Sequence, residues 1–385
     1  MKDQNLRKPT ASGGTATVPK AGPPRRWPLE VAWKPDLEQC MDRILAWFEQ
    51  QVIDRPPVRF YKHNAQYEAG ETLDRLRWPT LQDRWFDVEY QLESFERAAE
   101  AATFHAETFP VFWPNLGPNA YAAFYAGRLE FAEVTSWYEP VLGSLDDLAP
   151  LQTDPFQSVY FRKLEELTSA ALERCRGRYL VGYTDLHPSL DCIAAWRGTT
   201  ELCLDLVERP EKLAPLVELS VRDFHRIFDH FDAMLKERNL PSVTWMSIPS
   251  FGKMHIPSCD FASMIRPEHF TEFSLPQLRQ ELVGMDHNIY HVDGKGVARH
   301  LDVILERPEI QAIQWVQGMG EDTPILQWVP LLKRIQAAGR SILVDLRLEE
   351  LEAFIGQMRP EGVFLCLGVD EGQEEDVLKR LERWH

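Results

Sequence analysis

The sequence predicts an α/β chain folded as a (β/α)8 TIM-type barrel with an N-terminal helical extension. Three observations predict it. Strand-like runs recur from about residue 108 onward, and the last four come at intervals of roughly 25 residues, the spacing of βα units. Helical periodicity fills the intervals between them, and strands alternating with helices imply a parallel sheet. No glycine-rich phosphate or dinucleotide loop follows any strand, which weakens the alternative of a doubly wound sheet.

Residues 1–26 are rich in Gly, Pro, Thr, Lys and Ala and show no period. Such a segment buries too little apolar surface to offset its ordering entropy, so it reads as a disordered tail before a single domain over 27–385. Residues 36–51 and 83–104 read as helices and form the extension. An irregular strand is expected near Val58–Tyr61. Further strand-like runs lie at Phe109–Trp113, Tyr179–Tyr183, Val243–Ile248, Ile289–Val292, Ala312–Val316, Ile342–Val344 and Val363–Leu367. Between them, residues 211–235 place Leu213, Leu216, Val217, Val221, Phe224, Ile227, Phe228, Phe231 and Leu235 on one helix face. Helices are also expected over 267–286, 295–307, 324–339, 347–358 and 372–384. No internal repeat is visible.

Composition excludes several function classes. The chain has 385 residues, 59 acidic and 42 basic, for a formal charge of −17. A field of that sign opposes binding to nucleic acid and to anionic lipid. No apolar run approaches a membrane span, and the N-terminus lacks the apolar core of a signal peptide, so a cytoplasmic protein is expected. The six cysteines form no CxxC pair, which argues against a zinc ribbon or a disulfide framework. Twelve tryptophans exceed ordinary core needs and suit the wall of a small-molecule pocket.

In a barrel of this kind the chemistry lies at the C-terminal ends of the strands. Those ends carry Trp113 and Asn115, Thr184 and Asp185, Ser247, His291 and Asp293, Gln314, Trp315 and Gln317, Asp345, and Cys366. His291 and Asp293 stand two apart on one strand and therefore share a face. Such a pair can hold a metal, move a proton or bind a polar substrate. The same residues have plainer readings. Asp293 can cap the following helix, Cys366 can simply pack, Asp185 can serve a turn, and Asp191 with Arg197 can form a structural ion pair. Arg197 can equally hold a substrate anion.

The strand pattern is accompanied by Asp191-Cys192, Trp196-Arg197-Gly198, Leu204-Asp205-Leu206, Pro210-Glu211, Phe273-Ser274-Leu275-Pro276 and Tyr290-His291-Val292-Asp293-Gly294. Over about residues 105–382, this order resembles the uroporphyrinogen decarboxylase superfamily. The resemblance implies a distorted (β/α)8 barrel and one of two chemistries. The tetrapyrrole decarboxylases of that superfamily work without a cofactor and carry an Arg-Gln-Ala-Gly-Arg-Tyr segment. This chain has no such segment near its ordered start, and Ala126-Gly127-Arg128 is a short echo in another place. The methyltransferase branch carries His-x-Cys-Gly on a barrel strand and a second Cys on the last one. His291-Val292-Asp293-Gly294 matches the first with Asp for Cys, and Cys366 stands where the second belongs.

The resemblance therefore implies metal-assisted methyl transfer, linked to a corrinoid protein as methyl donor, onto a thiol or similar acceptor. His291 and Asp293 are the expected catalytic pair. His291, Asp293 and Cys366 are the expected ligands of a divalent metal, Zn²⁺ by the resemblance, with harder metals favoured by the Asp. Asn115, Asp185, Arg197, Ser247, Gln314, Trp315 and Gln317 are the expected substrate contacts. The alternatives are a cofactor-free decarboxylase and a non-catalytic binder of small molecules.

Overall fold

The computed structural model describes residues 26–61, 65–73, 78–151 and 153–384. Apart from Arg26, the expected tail lies outside the described residues.

Ten strands are present among the described residues: β1 (Val58–Phe60), β2 (Val111–Phe112), β3 (Leu129–Phe131), β4 (Ser136–Tyr138), β5 (Leu180–Val181), β6 (Met254–His255), β7 (His287–Asp293), β8 (Ala312–Val316), β9 (Ser341–Asp345) and β10 (Val363–Leu367). Six of them form one curled parallel sheet in the order β1-β10-β9-β8-β7-β6. β2 and β5 make a separate parallel pair, and β3 and β4 an antiparallel hairpin. The regular ladder does not run around all eight parallel strands. Between the six-stranded arc and the β2–β5 pair, isolated bonds replace it: Glu107 N donates to Val58 O at 2.9 Å, and Tyr183 N to Val243 O at 2.9 Å. The architecture is therefore a barrel-like half-shell with an irregular remainder, where a complete eight-stranded barrel was expected.

β8 and β10 fall where the sequence placed them. The run Val243–Ile248 does not become a strand. Ser247 adopts φ +54, and its amide donates to Thr244 O at 2.8 Å, which folds the run into a tight turn. The strand forms instead at Met254–His255. The helix expected over 211–235 divides into Pro210–Lys212, Ala214–Val221 and Phe224–Glu237. Pro215 starts the second piece, and Asp223 begins the third with its carboxylate taken by Arg222 and Arg226 at 2.8 Å each. The expected helix over 267–286 contains a π-helical turn at Phe270–Ser274. The 17-residue helix Val159–Cys175 carried no sequence expectation.

The N-terminal extension plugs the bottom of the shell. Helix Leu37–Phe48 buries Trp47 completely, and its indole N–H donates to Ile342 O and Gly362 O, both at 3.1 Å. Phe48 stacks on His287 at 4.0 Å. Those partners lie at the N-terminal ends of β9, β10 and β7, so the opposite, C-terminal ends stay available for a site.

The seam beside β1 is held by charge. Glu107 is fully buried and accepts from Arg55 at 2.8 and 3.1 Å, Arg43 at 3.1 Å and Val58 N at 2.8 Å. No helix among the described residues is long and apolar enough to cross a membrane.

Candidate functional site

β7 ends with His291 and Asp293 on the inner face of the sheet, and β8 sets Gln314 in register beside His291. The His291 Nδ1–Gln314 Oε1 distance is 2.6 Å. An amide oxygen only accepts, so His291 Nδ1 donates a proton to it and Nε2 is the ring nitrogen turned outward. Nε2 faces Asp260 Oδ1 at 3.8 Å, too long for a hydrogen bond. Asp260, His291 and Asp293 each offer a ligand atom, and these atoms all lie within 4.8 Å of one another. Two donors about 2 Å from one ion stand about 3 to 4 Å apart, so ligand atoms within 4.8 Å of one another need only a small side-chain adjustment to meet one divalent cation. The residues therefore fit the metal that the resemblance implies, with Asp260 in place of Cys366.

Asp260 stands in a loop, with its side chain 59% exposed. The loop is drawn in by Asp191, whose carboxylate accepts from Asp260 N at 2.9 Å and Phe261 N at 2.7 Å. Lost hydration first, and then the Asp191 carboxylate, raise the Asp260 carboxyl to a pKa of about 6, with His291 opposing both. A carboxylate crowded by other carboxylates gains from a cation. Asp293 makes no capping bond to the helix it precedes, so the capping role does not occupy its oxygens.

A second chain of side chains lies beside this group. Asp185 Oδ1 sits 2.6 Å from His187 Nε2, and His187 Nδ1 sits 2.9 Å from Ser258 Oγ. Ser258 in turn bridges the His291 backbone. Burial works to lower the His187 pKa, but Asp185 overrides it and the imidazole rises to about 9. Asp185 therefore touches an imidazolium rather than forming a turn. The sequence held a signal for this: Asp185-Leu186-His187 repeats the acid and imidazole two apart that mark His291-Val292-Asp293.

The other expectations divide. Asn115 and Ser247 line a cavity of about 1980 Å³, together with Trp113, Trp245 and Arg59. His291, Asp260 and Asp293 do not line it. Trp245 belongs to both places, because its ring also meets His291 edge-on at 5.4 Å. Cys366 is a correction. It is buried on β10, three strands from β7, and register places it beside Arg59 and Asp345. Burial pushes its thiol up to about 12, so it is a poor thiolate donor. Arg197 is also corrected: it binds Asp205 at 2.7 Å and Leu142 O at 2.9 Å, which leaves its fork committed to structure. Trp315 points to the opposite face from Gln314 and packs on Trp328 at 4.9 Å. Gln317 braces its own loop, donating to Thr323 O at 3.1 Å and Asp345 O at 3.0 Å.

Next to the site, His255 Nε2 meets Glu281 Oε2 at 2.9 Å in full burial. Burial holds the imidazole down at about 3 and raises the carboxyl from 4.5 to about 8. The sign follows. Between pH 4.5 and 8 the unfolded chain has lost the Glu281 proton while the folded chain keeps it, so this stabilisation, complete below 4.5, is lost as pH rises to 8. His255 acts at the acid end, where stability present above 6.5 is lost as pH falls toward 3. Glu281→Gln imitates the protonated acid and removes only the first dependence. Melting curves should show the variant near the parent at pH 5 and gaining on it up to pH 8, by at most about 1.4 kcal/mol per pH unit. A constant offset from pH 5 to 9 would rule out a protonated Glu281.

No family model matches this chain. No curated protein matches it either. Among solved structures, a methyltransferase from Methanosarcina mazei is similar. The two superpose with a TM-score of 0.58 at 10% identity, covering 89% of this chain and 98% of the other. At that identity the likeness is one of fold. It supports a TIM-like architecture of the kind the strand spacing predicts.

Proposed function

We propose that the chain is a methyltransferase-like enzyme that uses a divalent metal at Asp260, His291 and Asp293 to activate a thiol or similar acceptor, with a corrinoid protein as methyl donor. The observation that carries this reading is the convergence of those three side chains at the C-terminal end of β7. The fold shared with a methyltransferase from Methanosarcina mazei supports it.

A bound divalent cation would supply Lewis acidity, lowering the pKa of an acceptor thiol or hydroxyl so that it reacts as its anion. One imidazole and two carboxylates favour Zn²⁺ or a harder ion such as Mn²⁺. The chain's own residues prepare that chemistry. Gln314 fixes the His291 tautomer and ring plane. Asp191 holds the Asp260 loop in place. Trp245 covers one edge of His291 and limits water there. His187, fixed between Asp185 and Ser258, adds a positive charge near the acceptor anion.

Protein purified without chelator should contain about one equivalent of divalent metal, or take one up with a rise in melting temperature. Elemental analysis and titration with Zn²⁺, Mn²⁺ and Co²⁺ decide it. Absence of metal, with no thermal shift from any of the three, would leave a metal-free decarboxylase or binder in its place.

A further inference from the structure

We propose that the cavity beside the site binds an organic carboxylate with an aromatic body, its carboxylate held by Arg59 and its ring lying against Trp113 and Trp245. The inference goes beyond the metal reading and stands whether or not the cluster at His291 binds an ion.

Among the described residues three arginines line the cavity, and two are spoken for. Arg84 pairs with Glu133 at 2.5 Å, and Arg347 with Glu350 at 3.2 Å and Glu349 at 3.4 Å. Arg59 forms no ion pair among the described residues. One of its terminal nitrogens donates to Met246 O, and its Nε is buried without an acceptor. A guanidinium offers five N–H donors in a flat fork that matches the two oxygens of a carboxylate. A fork left this incomplete inside a protein costs free energy unless something accepts from it.

The walls suit an aromatic body. Trp113 and Trp245 both line the cavity, and neither indole N–H has an acceptor. Flat rings pack against such walls in offset or edge-on geometry. Position supports the assignment too. Arg59 lies on β1 in register with Cys366, and it reaches the Met246 carbonyl in the turn that also carries Trp245 and Ser247. Ser247 keeps a left-handed backbone there, the kind of strain that ordered structure retains at binding sites. The cavity is also lined by Glu133, Glu349, Asp370, Glu371, Glu374 and Glu375, and the chain is at −17 overall, a field that opposes a polyanion such as phosphate more strongly than a singly charged carboxylate.

The test is calorimetric titration of the full chain, without added metal, using 4-methoxybenzoate, 4-methoxybenzamide and inorganic phosphate as probes. The benzoate should bind and quench tryptophan fluorescence, with the amide and phosphate at least about tenfold weaker. Arg59→Met should lose at least about tenfold in benzoate affinity. Arg59→Lys, which keeps the charge and loses the fork, should fold normally and bind several-fold more weakly than the parent. The proposal is overturned if acid and amide bind equally, if either variant binds the acid like the parent, or if no benzoate binding is seen at millimolar concentration.

Discussion

Glu107→Ala should destabilise the chain by about 3 to 5 kcal/mol, more than any other single change considered for this fold. The side chain is fully buried, and its carboxylate takes two bonds from Arg55, one from Arg43 and one from the Val58 amide. Removing it leaves a buried guanidinium and a buried amide without their acceptor, and each unpaired group keeps its desolvation penalty. The position multiplies the effect. Glu107 sits where a regular ladder between β1 and the next segment is missing, so the carboxylate does part of the work that strand pairing does elsewhere. Chemical denaturation of parent and variant measures it. A loss under about 1 kcal/mol would show that the seam is held by packing instead. Glu107→Gln keeps the shape but not the charge and should fall between the two.

The parts of the fold legible in the sequence are those whose signal is periodic and local. β8 and β10 are short continuous apolar runs between turns, and the helices that follow them have one apolar face. The parts that were not legible depend on distant partners. Val243–Ile248 has the residues of a strand, but the turn at Ser247 and the bridge between Ser242 and Ser250 fold it back. Nothing local to Met254 and His255 marks them as a strand, because two residues give no period. The site shows the same division. The spacing of His291 and Asp293 puts both on one face, and β7 delivers them together. Cys366, the expected third ligand, stands apart from the pair because strand-end position says nothing about distance across a curled sheet. Cys366 shares the level of Asp293 but lies three strands away, whereas Asp260 arrives from a loop pinned by Asp191. Arg197 failed as a substrate contact for a similar reason: Asp205, one helix further on, claims it. Arg59 was passed over because a single arginine in an edge run carries no motif. Its meaning comes from its place on the cavity wall with no ion pair among the described residues, which only the fold reveals.

His291→Ala and Asp293→Asn should each leave the chain folded and lower divalent-metal affinity by at least about tenfold, about 1.4 kcal/mol. Folding should survive because both side chains stand at the rim of the sheet. His291 is 15% exposed, and Asp293 makes no capping bond. Asp293→Asn separates charge from shape, since an amide fills the same space and caps a helix about as well as an acid. A fall in affinity would therefore report the lost negative charge near the ion. Gln314→Ala should act through His291, freeing its ring and tautomer, with a loss of about 10- to 100-fold. Cys366→Ala is the control that separates the structural assignment from the one suggested by strand order. Its thiol is buried beside Arg59 and Asp345, so its removal should leave metal affinity unchanged. Metal titrations of the four variants, each checked by circular dichroism, give the answer. The assignment fails if Cys366→Ala loses metal while Asp293→Asn keeps it. It also fails if His291→Ala and Asp293→Asn both bind like the parent, because the pair at the end of β7 would then be holding the turn and nothing more.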